Sequence, residues 1–168
     1  APGAGAVLVP LKTGGYVGVL NLIGRIFMQA VDCPFITAKN KVAELREKTK
    51  VIIVDMHAEA TSEKKALGWY LDGEVSAVLG THTHVQTADE EILPNGTAYI
   101  SDAGMTGPFD SVIGIRKEAI IERFLTQMPN KFDLAKDDLR MQGVIMDIDV
   151  DSGKAKSIDR ISVKLKDS

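Results

Sequence analysis

The chain has 168 residues, 45% of them hydrophobic and 26% charged, with a formal net charge of −3. That balance describes one soluble domain spanning 1–168 with enough apolar residues to bury a core, and it excludes a disordered chain and a broad basic face for nucleic acid. The longest apolar stretches are only a handful of residues, far short of the ~20 a membrane-spanning helix needs. The N-terminus lacks a signal peptide's basic start and long apolar middle, and the single cysteine, Cys33, has no partner for a disulfide within the chain, so a cytoplasmic location away from membranes is expected.

In chain order, "AVLVPLKTGGYVGVLNLIG" alternates apolar and small residues around Gly14-Gly15, which predicts a hairpin with strands near Val7 to Lys12 and Tyr16 to Leu22. "DCPFITAKNKVAELREKTK" sets Val42 and Leu45 three apart among charges and predicts a helix ending near Lys48. "VIIVD" then reads as a short buried strand. "ATSEKKALGWYLDGE" places Ala66, Leu67 and Tyr70 at helical spacing behind Thr61 and Ser62 as caps, with Gly73 as the stop. Within it, Trp69 reads as a packing anchor. "VSAVLG" completes a βαβ unit, whose parallel strands point their C-terminal ends the same way.

Beyond it, "EEILPNGTAYISDAG" predicts a hairpin turning at Asn95-Gly96, and "RKEAIIERFLTQM" an amphipathic helix with Ile120, Phe124 and Ile121 toward the core. "MQGVIMDIDV" and "AKSIDRISVKL", joined at "DSGK", predict a final strand pair. The simplest architecture is an α/β domain of two layers or a sandwich.

All three histidines fall at the C-terminal edge of the βαβ unit: His57 ends "VIIVDMH", and His82 and His84 follow "VSAVLG" in "GTHTHVQT". In an extended segment residues i and i+2 project to one side, so His82 and His84 either direct two imidazoles into one volume, with His57 the candidate third ligand from the neighbouring strand, or are surface polar residues. Neutral imidazole suits zinc, iron or manganese. Asp55, two residues before His57, is either its orienting partner or a turn former; Asp102, opening "DAGMTG", has the same two readings. Thr61 is either a phosphate contact or a helix cap, and for Ser62 and Glu63 capping is the simpler account. Arg25 can reach an anionic ligand or pair with a carboxylate.

"HAEATSEK", "GTHTHVQTAD" and "DAGMTGP", in that order, closely resemble the YmdB-type bacterial metallophosphoesterases, a branch of the calcineurin-like superfamily. "NLIGRIFM" and "MQGVIMDID" extend the resemblance over nearly the whole chain. It implies part of a calcineurin-like αββα sandwich of mixed sheets with flanking helices. It also implies a dinuclear phosphodiesterase acting on 2′,3′-cyclic nucleotides, with two divalent ions, iron or manganese in preference to zinc. By the resemblance, His57 and His82 serve one ion and His84 its neighbour.

The family's "GD", "GEN" and "GNH" motifs, which supply further ligands and the catalytic histidine, do not occur here. By resemblance the chain is the C-terminal portion of such an enzyme, with no catalytic residue of its own. Three imidazoles without a bridging carboxylate hold one ion weakly at most. Little activity is therefore expected of the chain by itself. Apolar edges at "VIIVD" or the first hairpin are expected to lack partners, with self-association into a homo-oligomer as the symptom.

Two rival readings differ in class. A non-catalytic regulatory or nucleotide-sensing module would keep the partial metal site as a binding surface. An amidohydrolase also uses an H-x-H pair, but on a barrel of ~250 residues, too large for this chain.

Overall fold

The computed structural model describes residues 3–12 and 14–165. The first hairpin forms as expected: β1 (Ala6–Pro10) lies antiparallel to β2 (Tyr16–Ile23), and Gly14 and Gly15 turn at φ 91° and 82°, values a side chain would resist. From β2 the chain runs through α1 (Pro34–Arg46) to β3 (Ile52–His57), then through α2 (Thr61–Tyr70) to β4 (Ala77–Thr81), and β2, β3 and β4 are mutually parallel. A second hairpin, β5 (Glu91–Ile92) and β6 (Ala98–Ile100), turns at Asn95-Gly96 and adds β6 parallel to β4. The resulting mixed sheet has the order β1-β2-β3-β4-β6-β5.

Side-chain alternation along these strands sorts the core into two layers. Leu20, Leu22, Ile52, Val54, Met56 and Val78 face the helices, meeting Ala38, Val42 and Leu45 of α1 and Leu67 of α2. On the other face, Ile53, Ala77, Leu79 and Ile100 meet Val144, Met146 and Ile158 of a second, antiparallel sheet. That sheet is β7 (Thr106–Pro108), β8 (Leu139–Ile148) and β9 (Ala155–Lys164). Helices, mixed sheet and second sheet are thus three successive layers of an αββα plan.

The structure corrects several expectations. "VIIVD" has no open edge, because β3 is hydrogen-bonded on both sides; among the described residues the outer strands of the mixed sheet are β5 and, as the alternative expectation had it, β1 of the first hairpin, with Val7 and Val9 exposed. α3 (Lys117–Thr126) buries nothing: Phe124 is 71% exposed, Ile121 is exposed and Ile120 half-buried, so its apolar side is unpartnered. Trp69 is 51% exposed rather than an anchor.

In α2 the inward stripe is Lys64, Leu67, Gly68 and then Leu71 just past its end, spaced i, i+3, i+4 and i+7, which leaves Ala66 and Tyr70 outside. The helix is also uncapped by Thr61 or Ser62, because Ala60 occupies the cap position and no side chain bonds there.

Register determines where function can sit. Ile23, His57 and Thr81 are paired across β2, β3 and β4, so three parallel strands end level with one another. Gly24 then donates its N–H to the His57 carbonyl at 2.9 Å. The loops that follow all emerge along one rim.

Leu67 is fully buried at the helix–sheet interface, so Leu67→Ala is expected to cost about 3 kcal/mol through lost burial and a residual cavity. Phe124→Ala, on the unpartnered face of α3, is expected to stay within ~0.5 kcal/mol. Urea denaturation of the two variants checks both; equal losses would mean that α3 packs on the core.

Candidate metal centre

His57 leaves the end of β3 on the face opposite the helices, the same face as Asp55 and Thr81. Its Nδ1 lies 3.1 Å from Thr81 Oγ1, and that hydroxyl donates its only proton to Asp55 Oδ1 at 2.7 Å. Thr81 can therefore only accept from the imidazole, which assigns the proton to Nδ1 and leaves Nε2 as a lone pair. Asn21 holds the other Asp55 oxygen at 2.7 Å. Asp55 thus orients His57 through Thr81 and not by direct contact.

Nε2 of His57 faces Nδ1 of His82 at 3.0 Å, with the two rings nearly perpendicular at 87°. The other nitrogen of His82, Nε2, lies 3.0 Å from the Glu59 carboxylate. Glu59 thus sets a negative charge beside His82 on the side away from His57. The His57 lone pair and His82 Nδ1 are close enough to share one cation between the rings, either a proton or a metal ion. A carboxylate on the far nitrogen of a ligating histidine is the usual outer support of a metal site. The donor set therefore fits one edge of one ion's coordination shell.

His84 is turned elsewhere. Its Nδ1 donates to the Ile113 carbonyl at 3.1 Å, leaving Nε2 free on an exposed ring. The expected mechanism of convergence fails here: β4 stops at Thr81, and His82 and His84 both have positive φ, 109° and 65°, so they do not alternate as in a strand. Among the described residues no three His, Cys, Asp or Glu side chains converge on one point. The fold brings together His57 and His82 and sets His84 apart.

Of the other expected site residues, Thr61 is exposed at the start of α2. Asp102 is buried, where it is ion-paired with Lys64. Glu63, read from the sequence as a capping residue, is a positioning group that sequence reasoning missed. Its buried carboxylate accepts the backbone N–H groups of Arg25, at 3.0 and 3.1 Å, and Ile26, at 3.3 Å. This pins the loop after β2 beside His57. Lys64 was missed as well, although its place in the inward stripe with Leu67 and Leu71 was a visible signal.

Gly80 lets the parts approach, because a Cβ there would lie 1.7 Å from the Ser101 carbonyl oxygen and 2.8 Å from Lys64 Cδ. A 430 Å³ cleft beside His84 is lined by Met105, Phe109, Val112 and Gln142.

This fold and this rim belong to a recognised class: residues 1–161 match the YmdB-like protein family, and the chain is a member of it. The 2′,3′-cyclic-nucleotide 2′-phosphodiesterase of Bacillus subtilis (strain 168) is 51% identical over 96% of this chain and 61% of its own length. A putative phosphatase/phosphodiesterase of Mycoplasma pneumoniae is 38% identical over 88% of this chain and 53% of its own. Among solved structures, a hypothetical protein from Thermus thermophilus superposes with a TM-score of 0.90 at 40% identity, covering 98% of this chain and 63% of that one. A novel phosphatase from Mycoplasma pneumoniae gives 0.87 at 35% identity, covering 96% and 58%. The α/β metallophosphoesterase-like fold follows. The chain spans about three-fifths of the length of the Bacillus subtilis relative.

Burial first, and then the neighbouring His82, hold the His57 imidazole below its ordinary value, against the opposing pull of Asp55. Because the folded value lies below the unfolded one, the unfolded chain binds more protons between the two, and stability falls as pH drops from about 6.5 toward the folded value. In metal-free protein, an NMR titration of the His57 ring is expected to give a midpoint below that of a free imidazole, with His57→Gln flattening the acid limb of stability. A midpoint at or above the free value would remove this account.

Proposed function

We propose that this chain forms one wall of a dinuclear metal site in a phosphodiesterase that hydrolyses 2′,3′-cyclic nucleotides. The observation that carries the reading is the 3.0 Å approach of His57 Nε2 to His82 Nδ1, with Thr81 and Asp55 behind His57 and the Glu59 carboxylate beside His82. The names of the Bacillus subtilis and Mycoplasma relatives support the reaction class.

In this reading His57 and His82 hold one divalent ion and His84 holds the second, iron or manganese in preference to zinc. Bound as a pair, such ions supply Lewis-acid charge to the phosphate and activate water for in-line displacement.

The chain's own residues orient the site. Thr81 and the Ile113 carbonyl each take an Nδ1 proton, keeping Nε2 of His57 and of His84 available as donors. Glu59 lies 3.0 Å from the far nitrogen of His82, the side a supporting carboxylate takes at a ligating imidazole. With all three imidazoles engaged as ligands, the proton for the leaving oxygen comes from a group outside this set. A cytoplasmic location agrees with a lone, half-buried Cys33. The exposed Met141, Ile145, Val163 and Leu165 on β8 and in and just beyond β9 support association with another chain, a homo-oligomer included.

Two preparations test the reading: the chain alone, and a chimera joining it to the part of the Bacillus subtilis relative that it does not match. The chimera is expected to hydrolyse 2′,3′-cyclic AMP with added Mn²⁺, and His82→Ala or His84→Ala to lower kcat/KM by at least ~100-fold, since loss of outer-shell support alone costs ~10–100-fold. The chain alone is expected to bind metal with little turnover. Binding without hydrolysis in the folded chimera would favour a nucleotide-sensing module; no metal binding in either preparation would sink the enzyme reading.

A further inference from the structure

Beneath the histidine turn lies a charge pair that the proposed chemistry does not use. Lys64 and Asp102 are 0% and 1% exposed, with Nζ 3.1 Å from Asp102 Oδ2. Such a pair is a poor source of stability, because desolvating both charges offsets most of their attraction, and apolar residues of similar volume commonly do as well. Its presence at this position needs another reason, and its remaining bonds supply one.

The same Asp102 Oδ2 accepts the Thr83 backbone N–H at 2.9 Å and the Thr83 hydroxyl at 2.8 Å, while Oδ1 accepts the Gly104 N–H at 2.9 Å. The Asp102 backbone grips the turn a second time: its N–H donates to Thr87 Oγ1 at 2.9 Å, and its carbonyl accepts the Thr87 N–H at 3.1 Å. One residue therefore clamps both ends of the segment 83–87, with His84 inside the clamp and His82 immediately before it. Non-glycine residues at positive φ persist only where their surroundings over-determine them, and His82 and His84 are two such residues flanking Thr83.

We propose that Asp102, with Lys64 as its buried counter-ion, is the positioning residue of the two-histidine turn, acting through Thr83 to set the directions in which His82 and His84 present their nitrogens. Lys64 reaches its place because Gly80 has no side chain to obstruct its stem. The carboxylate accepts four donors, and the buried lysine is one of them. For the metal-holding consequence, the proposal rests on the reading of these histidines as ligands.

The test uses the 168-residue chain with Co²⁺ as the probe ion. Thr83→Val keeps the shape but loses the hydroxyl; it is expected to weaken Co²⁺ binding about 10-fold and alter the visible absorption of the bound ion, and Thr83→Ser is expected to restore both. Asp102→Asn alone strands a buried cation and can fail to fold, so it is paired with Lys64→Met. That double variant is expected to fold, with the Thr83 and Gly104 amides exchanging with solvent at least ~10-fold faster than in the parent chain.

Unchanged amide exchange in the double variant, or an unchanged Co²⁺ spectrum and affinity in Thr83→Val, would overturn the proposal and leave the pair a core feature only. Absence of any Co²⁺ binding by the parent chain counts against the ligand reading, and amide exchange then decides the positioning role independently.

Discussion

The level ending of three parallel strands is the constraint from which the site derives. Pairing of Ile23 with His57 and of His57 with Thr81 brings the loop after each strand to the same rim. A slip of one residue in β3 would turn His57 and Asp55 toward the helices and Met56 toward the second sheet. The register is held from both faces, since Val54 and Met56 are fully buried against the helix layer while Ile53 packs against the second sheet. Packing of ordinary aliphatic residues is thus what aims a polar site.

Around that rim, buried charges act on backbone more than on one another. Glu63 accepts two consecutive N–H groups at Arg25 and Ile26, and Asp102 accepts those of Thr83 and Gly104. Both acceptors are linked to adjacent residues of α2, Glu63 directly and Asp102 through Lys64, so one helix supports two loops. The loops carry no regular hydrogen-bond ladder, and a buried carboxylate is an efficient substitute because it satisfies several donors at one point. Small residues make the approach feasible: Gly24 faces Glu63 and Ala58, and Gly80 faces Ser101 and Lys64, at distances where a Cβ would collide.

The apolar surface is distributed unevenly. The helix-facing side of the mixed sheet is covered, whereas β1, α3 and the outer face of β8 and β9 expose Val9, Phe124, Leu125, Met141 and Ile145. Part of the exposed apolar surface also reaches the rim, since the segment after β2 that Glu63 anchors carries Ile26 and Phe27.

Much of this fold was legible in the sequence because it is governed by local rules. Paired glycines and Asn95-Gly96 marked the two hairpins, apolar runs marked β3 and β4, and period-two alternation marked β8 and β9. The placing of all three histidines at strand ends followed from the βαβ pattern, and the order of the motifs carried the family. The tertiary structure alone decided the rest. Whether α3 meets the core depends on a partner surface, which periodicity cannot supply. Whether His82 and His84 point together depends on backbone angles imposed by Asp102 from a distant strand end. Which nitrogen of His57 keeps its proton depends on Thr81, 24 residues away. Local pattern determines what each segment can be; only packing and long-range hydrogen bonds determine where its side chains are aimed.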